Sequence, residues 1–229
     1  MVSTAQSGES TPAWRPARGF AAARRPGVSL AGALATAVVV AMLGTFEAPL
    51  PAAVEEGQAR IPIWRLLTMA VAVLPVLALH SPLAELEAVA TRRFRHGQRI
   101  YLAATVLGSA LVFLGGAAIA LHPLVLLIIA RSWLAWFGLA LIAGVLLGWR
   151  LAWTLPVLVA VILFYWGFAA GEYRWWEFSA RPPDDVASLL LSLALLCAGL
   201  IAYRATPWRR RTWRRWRGRS LRPDRSGMS

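Results

Sequence analysis

The chain contains no lysine: all 24 of its basic residues are arginine. A Walker A loop needs a lysine on the nucleotide phosphates, so a standard P-loop ATPase is excluded. Lysine Schiff-base chemistry is excluded with it. Cysteine is almost as scarce, and the lone Cys197, in an apolar run, leaves no internal disulfide to form. Acids number 11 against the 24 arginines, giving a formal charge of +13. HExxH, CxxC and GxSxG motifs are all missing, and His80, His96 and His122 lack metal-ligand spacing. These gaps point to no catalytic residue, metal or cofactor. No internal repeat with a period of roughly 20–50 residues is visible.

Long apolar runs take the place of these missing features. The chain of 229 residues is 58% hydrophobic, with a mean hydropathy of +0.57. High hydropathy beside high charge conflicts in a soluble domain but suits an all-α polytopic membrane protein whose charges sit between its spans. A hydrocarbon core of about 30 Å takes about 20 helical residues. Six segments approach that length: 28–46, 61–80, 100–121, 124–148, 151–170 and 186–203. The first is too long, behind too long a leader, for a secretory signal, and reads as a retained span. The chain thus divides into a basic N-terminal segment (1–27), a six-helix membrane domain (28–203) and an Arg/Trp-rich tail (204–229).

Charge sets the expected orientation, because arginine accumulates on the cytoplasmic side. With both termini inside, the N-terminal segment, the 92–99 region, Arg150 and the tail place 19 of the 24 arginines in the cytoplasm. The outer loops keep Arg60, Arg174 and Arg181, against Glu47, Glu55, Glu56, Glu172, Glu177, Asp184 and Asp185. The inner cell membrane is the expected location. Small residues recur four apart at Ala104/Gly108, Ala140/Gly144/Gly148 and Ala194/Ala198/Ala202, faces on which helices can approach closely.

Between the second and third spans lies the most polar internal stretch, HSPLAELEAVATRRFRHGQR. Ser81 can cap a helix that has Pro82 at its first position. Leu83, Leu86, Ala90 and Phe94 then form one apolar stripe at spacings of three and four. Glu85 and Glu87 precede Arg92, Arg93 and Arg95, an order that suits the helix dipole. The spacing predicts a short amphipathic cytoplasmic helix over 81–95, with a surface to offer a partner or the lipid headgroups.

Two arginines fall inside apolar runs. Arg131 lies about a third of the way into span four, where a guanidinium either faces the bundle or a wet cavity, or snorkels to the interface. A cavity position would put Arg131 on a translocation path. Arg65, nearer its span end, is expected to snorkel. The loop GEYRWWEFSARPPDD has Trp175, Trp176 and Phe178 suited to the outer lipid interface, as a belt or a dipping segment. Asp184 or Asp185 can cap span six. In the tail, Trp208, Trp213 and Trp216 alternate with arginine directly after a span. Anionic lipid is the expected partner there, at roughly 1 kcal/mol per basic residue, rather than nucleic acid.

Six spans, a cytoplasmic helix between spans two and three (SPLAELEAVATRRFR), an aromatic element between spans five and six (RWWEFSARPPDD) and a basic lead-in (AWRPARGFAAARR) together resemble the permease subunit of a type-two ABC exporter. The phrasing is also similar to small actinobacterial six-span membrane proteins. The resemblance implies a homodimer or paired permease that binds a separate ATPase subunit through Leu83, Glu85, Leu86, Glu87, Arg92, Arg93, Phe94 and Arg95. The loop between spans five and six is short for that family's re-entrant hairpin, and Pro16 and Gly19 interrupt the lead-in. A non-transport scaffold, using the same helix and tail to hold partners or lipid, is the alternative.

Overall fold

A computed structural model describes residues 26–51, 58–79, 92–169 and 172–219. The described residues are mostly helical: α1 (Pro26–Leu43), α2 (Ile63–Leu77), α3 (Arg92–Ala120), α4 (Pro123–Leu147), α5 (Thr154–Trp166) and α6 (Val186–Arg219). Four stretches, 99–120, 123–147, 149–166 and 186–205, are long and apolar enough to cross a membrane. The helices of the first two expected spans are shorter, 27–43 and 63–77. Large apolar side chains such as Leu107, Ile119, Leu158, Leu190 and Ile201 stand exposed along the helices. Water would penalise such surfaces and a lipid phase accepts them.

The all-α expectation misses two short β ribbons. Between α1 and α2, β1 (Glu47–Pro51) pairs antiparallel with β2 (Gln58–Pro62), from Glu47 opposite Pro62 to Pro51 opposite Gln58. A two-stranded ribbon has only edge strands, so Pro49, Pro51 and Pro62 can sit in it without removing a ladder bond from a central strand. After α5, β3 (Phe168–Ala169) pairs with β4 (Glu172–Tyr173).

Successive helices alternate in direction. Leu30 and Ala37 of α1 meet Gly108 and Gly116 of α3 in the same order, so α1 and α3 run parallel. Gly32 of α1 meets Leu74 near the far end of α2, which runs the other way. Gly144 lies beside Val76, and Trp149, just past α4, meets Tyr203 of α6 edge-on. The α1–α2 ribbon, the His122 turn and residues 172–185 therefore share one end of the bundle. His122 caps α4 there, its Nδ1 accepting from Leu124 N–H at 3.4 Å. At the opposite end Gly148, at φ +104°, turns α4 into the 3-10 turn Trp149–Leu151. That backbone region favours glycine.

The main core surrounds α4, where Trp136, Ala140 and Leu141 are fully enclosed against Val76, Ala152, Leu163 and Phe178. Helix hydroxyls are satisfied locally: Thr68 donates to Trp64 O at 2.7 Å, and Ser192 to Ser188 O at 2.8 Å. Such bonds let small polar residues sit at apolar helix contacts.

The close contacts differ from the expected small-residue series. Gly138 and Gly199 bring α4 and α6 together, a Cβ on Gly138 falling 2.4 Å from Leu195 O. Ala104, Ala194 and Ala198 are exposed, Gly148 makes the turn and Gly144 lies under the Trp149 ring. The helix expected over 81–95 also differs where it is described. Arg92 to Arg95 form the first turn of α3, which runs unbroken for 29 residues through Gly97 into the apolar span. Likewise α6 does not stop near 203 but continues to Arg219 as one 34-residue helix.

Candidate functional site

Residues 174–185 fold back into the bundle end between α5 and α6, where two arginines from other helices hold them. Arg65 opens α2 and Arg131 lies in the third turn of α4; their side chains are 4% and 5% exposed. Neither snorkels to lipid, because each finds better partners in this segment.

Arg65 Nη2 lies 2.9 Å from Glu177 Oε1 in an ion pair enclosed on both sides. The same nitrogen donates to Ser179 Oγ at 2.7 Å, and Arg65 Nε donates to that oxygen at 3.2 Å. Ser179 passes the contact on: its Oγ and its backbone N–H both donate to Glu177 Oε1, at 2.7 and 3.0 Å. The Arg65 guanidinium also lies over the Phe164 ring of α5, 4.9 Å from its centre, a cation–π arrangement. Glu177 is therefore lopsided, with every partner on Oε1. Oε2, buried, has no hydrogen-bond partner among the described residues. It rests against Gly167, where a Cβ would come within 2.5 Å of it.

Arg131 works on backbone instead. Nη1 donates to Pro182 O at 2.8 Å, while Nη2 donates to Arg181 O at 2.7 Å and Phe178 O at 3.2 Å. The planar guanidinium fork fits three carbonyls on one turn of chain, which a lysine ammonium would match poorly. Phe178 itself inserts edge-on to Trp136, ring centres 4.9 Å apart. The segment then passes into α6 through Asp185, whose Oδ2 accepts from Ser188 N–H at 2.9 Å and from the Ser188 hydroxyl. The hydroxyl bond, followed by the backbone bond and the charges of Arg181 and Arg131, holds the Asp185 carboxyl below its usual pKa against the opposing pull of burial. Arg181 Nε lies 3.1 Å from Asp185 Oδ2, but its N–H is not aligned for a hydrogen bond.

Several sequence expectations can be placed against this geometry. Asp185 is the N-cap of α6. Trp175 stands exposed, whereas Trp176 is partly buried against the main core. Arg131 faces the bundle, and both its terminal nitrogens are engaged with carbonyls. Trp208, Trp213 and Trp216 lie along the continued α6, and Arg92, Arg93, Phe94 and Arg95 along the start of α3. Leu83, Glu85, Leu86 and Glu87 lie outside the described residues. The Arg65–Glu177 pair was the feature sequence reasoning missed. Its one available signal was a buried-position arginine with a spare acid in the single aromatic loop.

The Ser179 hydroxyl and the Glu177 carboxylate are both engaged with the buried Arg65, and no group of metal-binding side chains occurs among the described residues. Two buried cations fasten residues 174–185 at one end of the helical bundle. Comparisons with protein-family models, with curated proteins and with solved structures find no match to this chain.

Proposed function

We propose that the chain is the permease subunit of an ATP-driven exporter in the inner cell membrane, with six spans and both termini cytoplasmic. The energy comes from a separate ATPase subunit docked on the connection between α2 and α3. The observation that supports this reading most is the continuity of α3 from Arg92. A push on Arg92 to Arg95 acts directly on a membrane helix, with no loop between to absorb it. The plug at 174–185 lies at the other end of the bundle, where an exporter needs its outer closure. A second copy or a related permease completes the pathway, and anionic lipid holds the arginine tail.

The test is affinity purification of the full-length protein in a mild detergent. An ATPase encoded beside it co-purifies, and Leu86→Asp abolishes that association while the protein stays monodisperse. Recovery of no nucleotide-binding subunit would refute the exporter reading. The continuation of α6 to Arg219 favours a second reading, a scaffold that presents its arginine-rich end to a partner. On that reading, removing 206–229 abolishes partner recovery, whereas Leu86→Asp leaves it intact.

A further inference from the structure

We infer that residues 172–185 form a closure with one permanent anchor and one releasable anchor, the division falling between Glu177 and Phe178. The inference rests on the exporter reading only for what the opening would admit, so the two can fail separately.

The fixed half is 178–185. Arg131 holds it through backbone carbonyls of Phe178, Arg181 and Pro182, which neither a rotamer change nor protonation of a loop side chain can remove. The Asp185 cap adds a second tie, stitching this half to the start of α6. Withdrawing it would strand a buried guanidinium, and uncompensated buried charge is strongly unfavourable.

The releasable half is 172–177. Its polar ties to the bundle and to the fixed half all meet at one side-chain oxygen, Glu177 Oε1, which takes Arg65 and both Ser179 donors, while Trp176 adds partial packing on the main core. Backbone bonds link it mainly to its own neighbourhood: Arg174 N–H donates to Gly167 O at 2.8 Å, and Glu177 N–H to Arg174 O at 3.0 Å. Closure leaves Glu177 Oε2 unpartnered, and a half-satisfied buried carboxylate gains hydration when it leaves. That departure removes the counter-charge of Arg65 but not its other contacts. Arg65 keeps both bonds to Ser179, which belongs to the fixed half, and its place over the Phe164 ring. The site thus holds ready-made contacts for the cation in the open state, while the anion swings out.

Gly167 is the matching notch. Its backbone is ordinary, at φ −74° and ψ −17°, so chain conformation does not require glycine here. Space does, because a Cβ would fall 2.2 Å from Leu163 O and 2.5 Å from Glu177 Oε2.

The experiment uses the full-length protein with Cys197→Ser, which removes the only native thiol. Single cysteines at Trp176 (releasable half) and Ala180 (fixed half), both partly buried, are labelled with a membrane-impermeant maleimide in reconstituted vesicles. Loss of a charge-assisted bond in Glu177→Gln should speed labelling at 176 by about tenfold or more, while labelling at 180 changes by less than about twofold. Arg131→Gln should speed both. Gly167→Ala crowds the carboxylate, together with Leu163 O at the end of α5, without removing its charge, and serves as the second variant should Glu177→Gln not fold. It should reproduce the 176-selective pattern. Equal acceleration at both positions in Glu177→Gln or Gly167→Ala would mean one rigid plug and overturn the inference. So would no acceleration at 176 in a variant that elutes normally.

Discussion

Alanine at Gly138 should loosen α4 from α6 more than any other single-methyl change in the bundle interior. The added Cβ would fall 2.4 Å from Leu195 O, 2.5 Å from Leu195 C and 2.7 Å from Leu196 N. All three are backbone atoms, so no rotamer change relieves the clash. Restoring ordinary contact distance requires the helices to part by roughly 1 Å, which forfeits a quarter to a half of the dispersion well for atoms facing that gap. Overpacking of this kind costs about 1–3 kcal/mol. At about 2–4 °C per kcal/mol for a chain of this size, the midpoint should fall by roughly 2–12 °C. Heating in detergent followed by size-exclusion chromatography reads that midpoint. Gly115→Ala is the control, because its Cβ would meet nothing within 4 Å. Replacing that exposed glycine should be neutral or gain up to about 1 kcal/mol. Gly199→Ala, whose Cβ would fall 2.5 Å from Gly138 O, should resemble Gly138→Ala. The double variant should cost less than the sum, since the first methyl already parts the helices. Indistinguishable midpoints for Gly138→Ala and Gly115→Ala would refute the reasoning.

Other outcomes follow from the plug. Arg65→Leu and Glu177→Leu should each destabilise by about 3–5 kcal/mol, whereas the double leucine variant should recover most of that loss; additive losses would contradict a paired role. Arg131→Lys should behave nearly as badly as Arg131→Met, because one ammonium cannot serve three carbonyls in the fork geometry; full rescue by lysine in the same thermal assay would argue against it. Asp185→Ala should cost about 0.5–2 kcal/mol through loss of the α6 cap. Because the folded carboxyl titrates below its ordinary range, its contribution is complete above the unfolded pKa and disappears as pH falls through the folded one. The wild-type midpoint should therefore decline toward acid with a component that Asp185→Ala lacks, and parallel pH curves would refute it.

The apolar helices were readable, though not their ends, because a helix in lipid must satisfy its own backbone, leaving hydropathy and length as strong signals. The Asp185 cap was readable for a similar reason, since capping is set by residues three apart in the chain. The register of helix contacts was not. Gly138 faces Gly199, neither of them in the three small-residue series, because alanine-rich helices present several small faces and packing selects among them. Arg65 went astray for a different reason. Depth in a span gives the cost of burying a cation, but not whether an acid 112 positions later will fold back to meet it. The β ribbon at 47–62 was hidden by its prolines, which argue against a strand except at an edge.

The distance along the chain between anchors and plug also fixes an order of events during synthesis. Arg131 must wait for carbonyls 47 to 51 residues downstream, and Arg65 for Ser179, 114 residues downstream. At about 5–20 residues per second, Arg65 spends on the order of 6–23 s in a nascent bundle without its final partners. The first five helices are laid down with two unmatched cations at one end, and only the arrival of 177–182 brings Glu177 to Arg65 and backbone carbonyls to Arg131. A ribosome that stopped short of this segment would leave a chain already rich in apolar helices yet unable to close. Completion of the last loop is thus the step at which both cations gain their final partners, before α6 is added against α4.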